Sequence, residues 1–422
     1  MQTPGPEELI ALVRELPSAT SLLAAVGDER GVHLVGGAVR DLLLSRLLDA
    51  GAGGSEEPDQ SSRREVRDLD LVAEGDVAAL AARLGGRYLT HERFGTAKVT
   101  LDGCGYDLAM ARRETYAEPG ALPDVSPATL TEDLLRRDFT VNSIAITLGG
   151  PRAGELTAAP NALEDLGARR LRVLHDRSFL DDPTRLIRLA RYASRLGFEV
   201  ESGTLALALA ALAGDALATV SGARIGAELR LLAREEDPVT ALVALRELGI
   251  DRRIDPRFGL ADPPLARRAL ALLPPDGRPD VLVLAVAFAR VPAADLAPLL
   301  DDLAFDADSR DRILAATGGA DRAAGALVAT RRPSEIAAAL AGSTVELAAL
   351  AGALGPSERA REWLEHLRRV RLEIDGNELI AAGVPEGPAV GRGLRAALAA
   401  KLDGRVNGHD AELAEAVRAA EA

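Results

Sequence analysis

Two aspartates separated by one residue, Asp68 and Asp70, form the pattern with the clearest chemical meaning. Residues 68–72 alternate acidic and apolar side chains, as a strand does, so both carboxylates would point to the same face. Converging carboxylates bind Mg²⁺, and two such ions promote phosphoryl transfer by activating a hydroxyl and stabilising the leaving oxygen. Asp107, on a later strand pattern, is a candidate third carboxylate. The alternative is a solvated acidic strand face.

A glycine pair, Gly36 and Gly37, lies upstream between a strand pattern and a helix pattern. Glycines at such a turn let backbone N–H groups approach a phosphate, and the helix N-terminus adds a favourable dipole. Arg40, one turn into the helix, can pair with the same phosphate. A structural turn is the alternative for this motif alone. The presence of this turn upstream of Asp68 and Asp70 favours metal binding by that pair over a solvated strand face.

Two further segments carry arginine next to acidic or polar residues. In residues 136–142, Arg136 and Arg137 can clamp a triphosphate bidentately, while Asp138 and Asn142 suit ribose hydroxyls or local capping. A pair of arginines on a solvated helix face is the alternative reading of this segment.

In residues 181–197, an aspartate cap, Pro183 at the first helical position and Gly197 at the far end delimit a helix. Asp182 is either that cap or a functional carboxylate. The arginines of this helix recur every third residue and form one slanted stripe, which is either functional or solvated. They are Arg185, Arg188 and Arg191.

The elements that position these residues change in type along the chain. Residues 1–30 predict one amphipathic helix, and strand and helix patterns alternate from there to about residue 150, with residues 111–130 predicted as a loop. Residues 51–64 are rich in Gly, Ser and charge and predict an insertion. Residues 176–422 are Ala- and Leu-rich helical segments without strand alternation. The architecture predicted is an α/β head followed by a long helical body.

The composition of the 422 residues limits the classes of function. The net charge of −14 argues weakly against nucleic-acid binding, but residues 133–195 hold eleven arginines against eight acidic residues and are locally basic. Cys104 is the only cysteine and the five histidines are scattered, which excludes an intrachain disulfide and a cysteine-rich zinc site. No leader pattern or long apolar run is found, so we expect a cytoplasmic protein that does not enter a membrane.

The four motifs, in this order, resemble those of the class II tRNA nucleotidyltransferase and bacterial poly(A) polymerase family. The family patterns GG-x-V-R-D, D-x-D, RRDFT-x-N and E/D-D-x-x-R correspond to residues 36–41, 68–70, 136–142 and 181–185. The resemblance is dense over residues 32–200 and thin afterwards. Asp181 stands where the family usually has Glu, and the 51–64 insertion is an addition.

The resemblance implies an α/β head of the polymerase-beta type followed by an all-α neck, body and tail. The expected divisions are 1–155 for the head, 156–225 for the neck with the nucleotide-selecting motif, 226–355 for the body and 356–422 for a tail that could contact tRNA. It implies that Asp68 and Asp70 bind Mg²⁺ and that Asp182 and Arg185 replace a template. Asp107 is the candidate third catalytic carboxylate because of its place on a strand pattern. The other residues expected to bind the nucleotide are Gly36, Gly37, Arg40, Arg136, Arg137, Asp138, Asn142, Arg188 and Arg191.

The expected reaction is template-independent addition of C and A from CTP and ATP to the 3′ end of tRNA, with release of pyrophosphate. The sequence leaves open A-only addition, CC-only addition and poly(A) synthesis, although residues 402–422 lack the strongly basic extension usual in poly(A) polymerases. A non-catalytic RNA-binding protein on the same scaffold is the candidate from another class, and Asp68, Asp70 and Arg40 argue against it. The oligomeric state is open.

Overall fold

The computed structural model describes residues 4–51, 69–91 and 95–421. The chain divides into two compact units, Met1–Val220 and Ser221–Ala422. The first combines a mixed sheet with helices, and the described residues of the second contain helices. The predicted α/β head followed by a helical region is confirmed. The finer division into head, neck, body and tail stays a prediction, and residues 52–64 of the predicted insertion lie outside the described residues.

Strands are concentrated in the first unit. The described strands are β1 (Val32–Val35), β2 (Leu69–Ala73), β3 (Arg87–His91), β4 (Thr96–Leu101), β5 (Cys104–Met110), β6 (Arg112–Thr115), β7 (Asp124–Pro127), β8 (Ile144–Thr147), β9 (Leu156–Ala158), β10 (Arg170–Leu171) and β11 (Glu199–Val200). Seven of these described strands form one sheet in the order β3-β4-β5-β2-β1-β8-β9. β2 and β5 run parallel, whereas the other neighbours in this sheet are antiparallel. The buried strand β1 therefore lies between β2 and β8.

Helices surround this sheet and continue through the second unit. In the first unit they are α1 (Pro6–Arg14), α2 (Ala19–Val26), α3 (Gly37–Gly51), α4 (Val77–Leu84), α5 (Leu130–Leu135), α6 (Ala162–Gly167), α7 (Ser178–Asp181), α8 (Arg185–Leu196) and α9 (Ser202–Ala213). In the second unit they are α10 (Gly222–Ala233), α11 (Pro238–Glu247), α12 (Asp251–Ile254), α13 (Pro263–Leu272), α14 (Pro279–Phe288), α15 (Ala293–Asp302), α16 (Ala307–Ala329), α17 (Pro333–Ala339), α18 (Val345–Leu354), α19 (Ser357–Glu365), α20 (Gly376–Ala381), α21 (Pro388–Leu402) and α22 (His409–Glu421).

The ends of two helices near the motifs follow from local sequence. Helix α5 begins with a capping box, in which the Thr129 side chain accepts from the backbone of Glu132 and the Glu132 side chain accepts from the backbone of Thr129. Helix α8 ends at Gly197, whose φ of +64° suits glycine as a left-handed C-cap. Local sequence therefore fixes the N-terminal end of α5 and the C-terminal end of α8.

Three local expectations were wrong. Residues 1–30 contain two helices, α1 and α2, because Pro17 between them lacks an N–H group and disfavours helix in the residue before it. Residues 111–130 contain the antiparallel strands β6 and β7 instead of only a loop. All four residues of β7 are exposed, so no apolar alternation marks the hairpin. Residues 176–422 were expected to lack strands, but β11 pairs with β10. A strand of two residues is too short to show the alternation of apolar and polar side chains.

The second unit has an apolar core where its last helices pack. Side chains of α20, α21 and α22 form a buried cluster that includes Leu379, Ala397 and Ala416. Gly393 allows a close approach there, since a Cβ atom at this position would lie 2.5 Å from the carbonyl oxygen of Ala416. Across the described residues, no helix is both long and apolar enough to cross a membrane.

Candidate active site

The glycine pair forms the turn between β1 and α3. Gly36 has a φ of +73°, where most other residues would be strained. Its N–H group donates to the carbonyl of Ile144 at 3.1 Å, and its own carbonyl accepts from the N–H group of Arg40 at 3.0 Å. The start of α3 is thus fixed against β8, and its first N–H groups lie at this turn.

Arg40 is almost fully buried and binds groups of the protein. Its Nε and Nη2 atoms donate to the two carboxylate oxygens of Asp41 at 2.8 and 3.0 Å, and Nη1 donates to Oδ1 of Asn142 at 2.6 Å. The guanidinium carbon also lies 5.8 Å from the ring centroid of Tyr192. Arg40 therefore joins the glycine turn to the 136–142 segment, and its direct pairing with a phosphate stays a prediction.

The structure brings Asp70 and Asp107 side by side. Both are exposed, and they are paired in register on the parallel strands β2 and β5, so the two side chains lie on the same face of the sheet. Nζ of Lys98, on β4, lies 3.9 Å from Oδ1 of Asp107. Asp68 lies outside the described residues. The predicted carboxylate pair Asp68 and Asp70 therefore stays a prediction, with Asp107 next to it.

Arg136 and Arg137 both bind the carboxylate of Asp133, a buried residue of α5. Oδ1 of Asp133 accepts from Nε and Nη2 of Arg136 at 2.9 and 2.7 Å, and Oδ2 accepts from Nε and Nη2 of Arg137 at 3.3 and 2.9 Å. Burial alone would raise the pKa of Asp133, but the two guanidinium groups outweigh burial and lower this pKa. The arginines are therefore held by an anion and do not form a solvated helix face.

Asp138 connects the 136–142 segment to helix α8. Oδ1 of Asp138 accepts from the backbone N–H of Phe139 and from Nδ2 of Asn142, and Oδ2 accepts from Nε and Nη2 of Arg188 at 3.0 and 2.6 Å. Burial raises the pKa of Asp138, but Arg188 and the Asn142 hydrogen bond lower it to about 2. Both carboxylate oxygens thus accept hydrogen bonds from groups of the protein. Hydrogen bonds therefore connect Arg40, Asn142, Asp138 and Arg188 in this order.

The segment that is expected to select the nucleotide begins where α7 ends. Oδ1 of Asp182 accepts from the backbone N–H and the hydroxyl of Thr184, so Asp182 organises the turn and the regular helix begins at Arg185 instead of Pro183. Arg185 is buried, and donates to Oγ of Ser178 at 2.7 Å and to the carbonyl of Arg136 at 2.6 Å. The structure therefore joins the third and fourth motifs directly.

The last arginine of the α8 stripe is also not solvated. Arg191 is 8% exposed, and its guanidinium carbon lies 4.9 Å from the ring centroid of Tyr192. The alternative that these arginines form a solvent-facing stripe is therefore wrong for Arg185 and Arg191.

Comparison with known proteins identifies the family. A family profile described as the poly A polymerase head domain matches residues 32–172. The CC-adding tRNA nucleotidyltransferase of Deinococcus radiodurans is 33% identical over 431 aligned positions, which cover 98% of this chain and 96% of that protein. The chain belongs to the class II tRNA nucleotidyltransferase family.

Two further similarities describe how far this nucleotidyltransferase matches other members. The A-adding tRNA nucleotidyltransferase of Geobacter sulfurreducens is 38% identical over 263 residues, which cover 61% of this chain but only 27% of that protein. A solved structure described as the apo form II of a CCA-adding enzyme superposes with a TM-score of 0.80 at 26% identity, covering 99% of this chain and 100% of that one. The chain thus spans about a quarter of its A-adding relative and nearly all of the solved structure.

The donor set of this family member fits a divalent metal, which the family generally uses. Asp70 and Asp107 offer exposed carboxylate oxygens on one face, and carboxylates are hard ligands suited to such an ion. Among the described residues no group of three or more potential metal ligands occurs, and Asp68 is not among those residues. The residues that the structure describes therefore supply two of the three carboxylates expected at the site.

Sequence reasoning missed the residues that hold the arginines in place. Asp133 precedes Arg136 and Arg137 by three and four positions, the spacing at which helical side chains meet, so this spacing could have revealed it. Glu114, which accepts from Nη1 of Arg136 at 2.8 Å, lies on the unpredicted hairpin strand β6. Its contribution could not be found before the hairpin was known.

Two arginines of the predicted tail, Arg359 and Arg368, bind groups of the second unit. Arg359 donates to the carbonyls of Leu327 and Val328 at the end of α16. Both terminal nitrogens of Arg368 donate to the carboxylate of Asp276. These two arginines therefore bind within the second unit, and the expected tRNA contact of the tail stays a prediction.

Proposed function

We propose that this chain adds C and A nucleotides from CTP and ATP to the 3′ end of tRNA and releases pyrophosphate. The observation that carries the proposal is the hydrogen-bond chain from Arg40 through Asn142 and Asp138 to Arg188. It joins the glycine turn, where a phosphate would bind, to the helix that is expected to select the base. Similarity to a CC-adding enzyme over nearly the full chain supports the same proposal.

Asp182 and Arg185 act in this proposal as a protein template. Cytosine and adenine both present an exocyclic amine beside a ring-nitrogen acceptor, so a carboxylate accepts from the amine and a guanidinium donates to the ring nitrogen. The bonds of Arg185 to Ser178 and to the Arg136 carbonyl use two of its five N–H donors and fix its orientation. Uracil and guanine present the reverse pattern and would leave buried polar groups unpaired, which opposes their selection.

In the reaction, the RNA 3′-hydroxyl oxygen forms a bond to the α-phosphorus, while the bond from this phosphorus to the pyrophosphate oxygen breaks. Mg²⁺ held by Asp68 and Asp70, with Asp107 beside them, would lower the pKa of the hydroxyl and stabilise charge on the leaving oxygen. The N–H groups at the start of α3 are placed to bind phosphate oxygens at the Gly36 turn. These residues and this metal remain part of the proposal.

Addition limited to two cytidines is the second candidate. The CC-adding relative aligns with 98% of this chain, whereas the A-adding relative aligns with 61%. The two candidates share the same head and the same bond chemistry, and they differ only in whether ATP is used after the second cytidine. A cytoplasmic location, expected from the sequence, stays a prediction.

The test supplies the purified chain and Mg²⁺ with tRNAs that end before the CCA sequence, after the first C and after CC, each with one labelled nucleotide. Use of CTP on the first two and of ATP on the third supports CCA addition. Use of CTP without ATP supports CC-only addition, and ATP on the CC-ended tRNA alone means A-only addition. Long A tails mean a poly(A) polymerase. RNA binding without any incorporation means a non-catalytic binding protein.

The metal assignment is tested separately with an Asp68→Asn, Asp70→Asn double variant. We expect incorporation to fall by at least about a thousandfold, because the proposed metal ligands are lost. Asp321→Asn, at an exposed position of α16, is the matched control and should keep wild-type activity. Activity retained in the double variant would contradict the assignment.

A further inference from the structure

We propose that Asp133 is a positioning residue that assigns different roles to two consecutive arginines, directing Arg137 to the nucleotide triphosphate and holding Arg136 as part of the scaffold. This inference rests on the proposed function, because it concerns how the same site binds its nucleotide. The side chain of Asp133 is fully buried in α5, and its two oxygens divide between the two guanidinium groups.

All three guanidinium nitrogens of Arg136 donate to carboxylate oxygens. Oδ1 of Asp133 takes Nε and Nη2, Oε1 of Glu114 takes Nη1 at 2.8 Å, and Glu114 is itself only 7% exposed at its side chain. Oε2 of Glu114 in turn accepts from the hydroxyl of Tyr116. The bonds to Asp133 and Glu114 use three of the five N–H donors of Arg136, and a triphosphate that took any of the three would leave a buried carboxylate without its cation.

Arg137 is bound from one side only among the described residues. Nε and Nη2 face Oδ2 of Asp133, which turns Nη1 away from the carboxylate. Nη1 lies next to the glycine turn, since a Cβ atom placed on Gly36 would be 3.4 Å from it. The first N–H groups of α3 lie at the same turn. Arg137 and the N-terminus of α3 are therefore placed to bind the same triphosphate.

The local charge agrees with this division. Three guanidinium groups, those of Arg112, Arg136 and Arg137, face two carboxylates, those of Asp133 and Glu114. Arg112 and Arg136 both bind Glu114, and Arg136 also binds Asp133. Arg137 has only a share of Asp133 among these carboxylates, so the positive charge that is left uncompensated lies at Arg137. The lowered pKa of Asp133, which the two arginines cause against the effect of burial, keeps this carboxylate ionised at neutral pH.

The experiment measures the dissociation constants of CTP and of pyrophosphate by calorimetric titration of the full chain without tRNA. Arg137→Gln and Asp133→Asn should each weaken binding of both ligands by about tenfold or more, because a charge-assisted contact is lost or misdirected. The two changes combined should weaken it no further than Arg137→Gln alone. Arg136→Gln should lower the thermal midpoint and weaken binding less than Arg137→Gln does.

Glu346→Gln is the matched control. Glu346 is a fully buried carboxylate of α18 in the second unit, and both its oxygens accept from Nη1 of Arg312. This variant should lose stability, as Asp133→Asn does, and keep the wild-type affinity for CTP. Should Asp133→Asn prove too unstable to study, Arg137→Lys and Arg136→Lys make the same comparison, since lysine keeps the charge but not the bidentate fork.

Equal loss of affinity in the Arg136 and Arg137 variants would overturn the inference, as would equal loss in Asp133→Asn and Glu346→Gln. A wild-type chain that binds CTP but extends no tRNA would refute the proposed function, while the comparison of affinities would still decide the role of Asp133. A wild-type chain that binds neither CTP nor pyrophosphate would overturn both.

Discussion

Replacing Asp138 by Asn should loosen helix α8 from the 136–142 segment. The two oxygens of Asp138 accept from separate groups, one from Phe139 N–H and Asn142, the other from Arg188. An amide has one acceptor oxygen, so either Arg188 or the Phe139–Asn142 side loses its acceptor. The Asn variant also removes the buried charge opposite Arg188.

The size of the effect follows from the pKa of Asp138, which is lowered from 3.8 to about 2. Burial acts against this lowering, and the attraction of Arg188 exceeds it. At 1.36 kcal/mol for each pKa unit, the ionised form contributes about 2 kcal/mol that the neutral form lacks. Because the folded pKa is depressed, this stability is present above about pH 4 and is lost as the pH falls through about 2.

Hydrogen exchange read by mass spectrometry measures this effect locally. A loss of about 2 kcal/mol should speed exchange in peptides covering α8 about thirtyfold, while peptides covering α21 and α22 keep their wild-type rates. Arg188→Met should give a similar change, and the double variant should be less destabilised than the sum of the two. Exchange that rises less than threefold in α8, or that rises equally in α21 and α22, would contradict the role of Asp138 in fastening α8 to the 136–142 segment.

Two predictions concern the second unit. Glu378 and Asp410 raise the pKa of His409 to about 9, so its stabilising contribution is complete below about pH 6.5 and is lost as the pH rises through 9. The difference in thermal midpoint between wild type and His409→Gln should be present at pH 6 and absent by pH 10, and a difference independent of pH would contradict this. Gly393→Ala should lower the free energy of unfolding by about 1–3 kcal/mol, because its Cβ atom would meet a backbone carbonyl of α22 at 2.5 Å. Gly391→Ala in the same helix meets only the flexible end of a side chain and should be neutral or stabilising, so equal destabilisation of both variants in urea titrations would contradict the packing argument.

The fold was predictable where burial gives a regular period. Strand β2, observed at Leu69–Ala73, was expected within one residue of these bounds. The hairpin of β6 and β7 was not, because its residues are mostly exposed and its pairing does not depend on apolar alternation. Strands β8 and β9 are three or four residues long, which is too short for a period to stand out.

Spacing along the chain predicted candidate site residues, but not which groups of the protein bind them. The three-residue step predicted the arginine stripe of α8, whereas the pairing of Arg188 with Asp138 spans fifty positions and depends on the fold. Arg40 was expected to face a phosphate, and in the structure Asp41 and Asn142 hold its guanidinium. Opposite charges in these segments indicate that ion pairs will form. Where the two partners are far apart in sequence, as Arg188 and Asp138 are, only the fold determines the pairing.

The most direct test of template-independent C and A addition is a competition in one reaction. A tRNA that ends before the CCA sequence is incubated with the wild-type chain, Mg²⁺ and all four nucleotides at equal concentration, and the 3′ ends are sequenced. We predict that the 3′ ends are extended by CC or CCA and then no further, with no U or G at these positions. An unchanged 3′ end, frequent U or G, or a long A tail would contradict it.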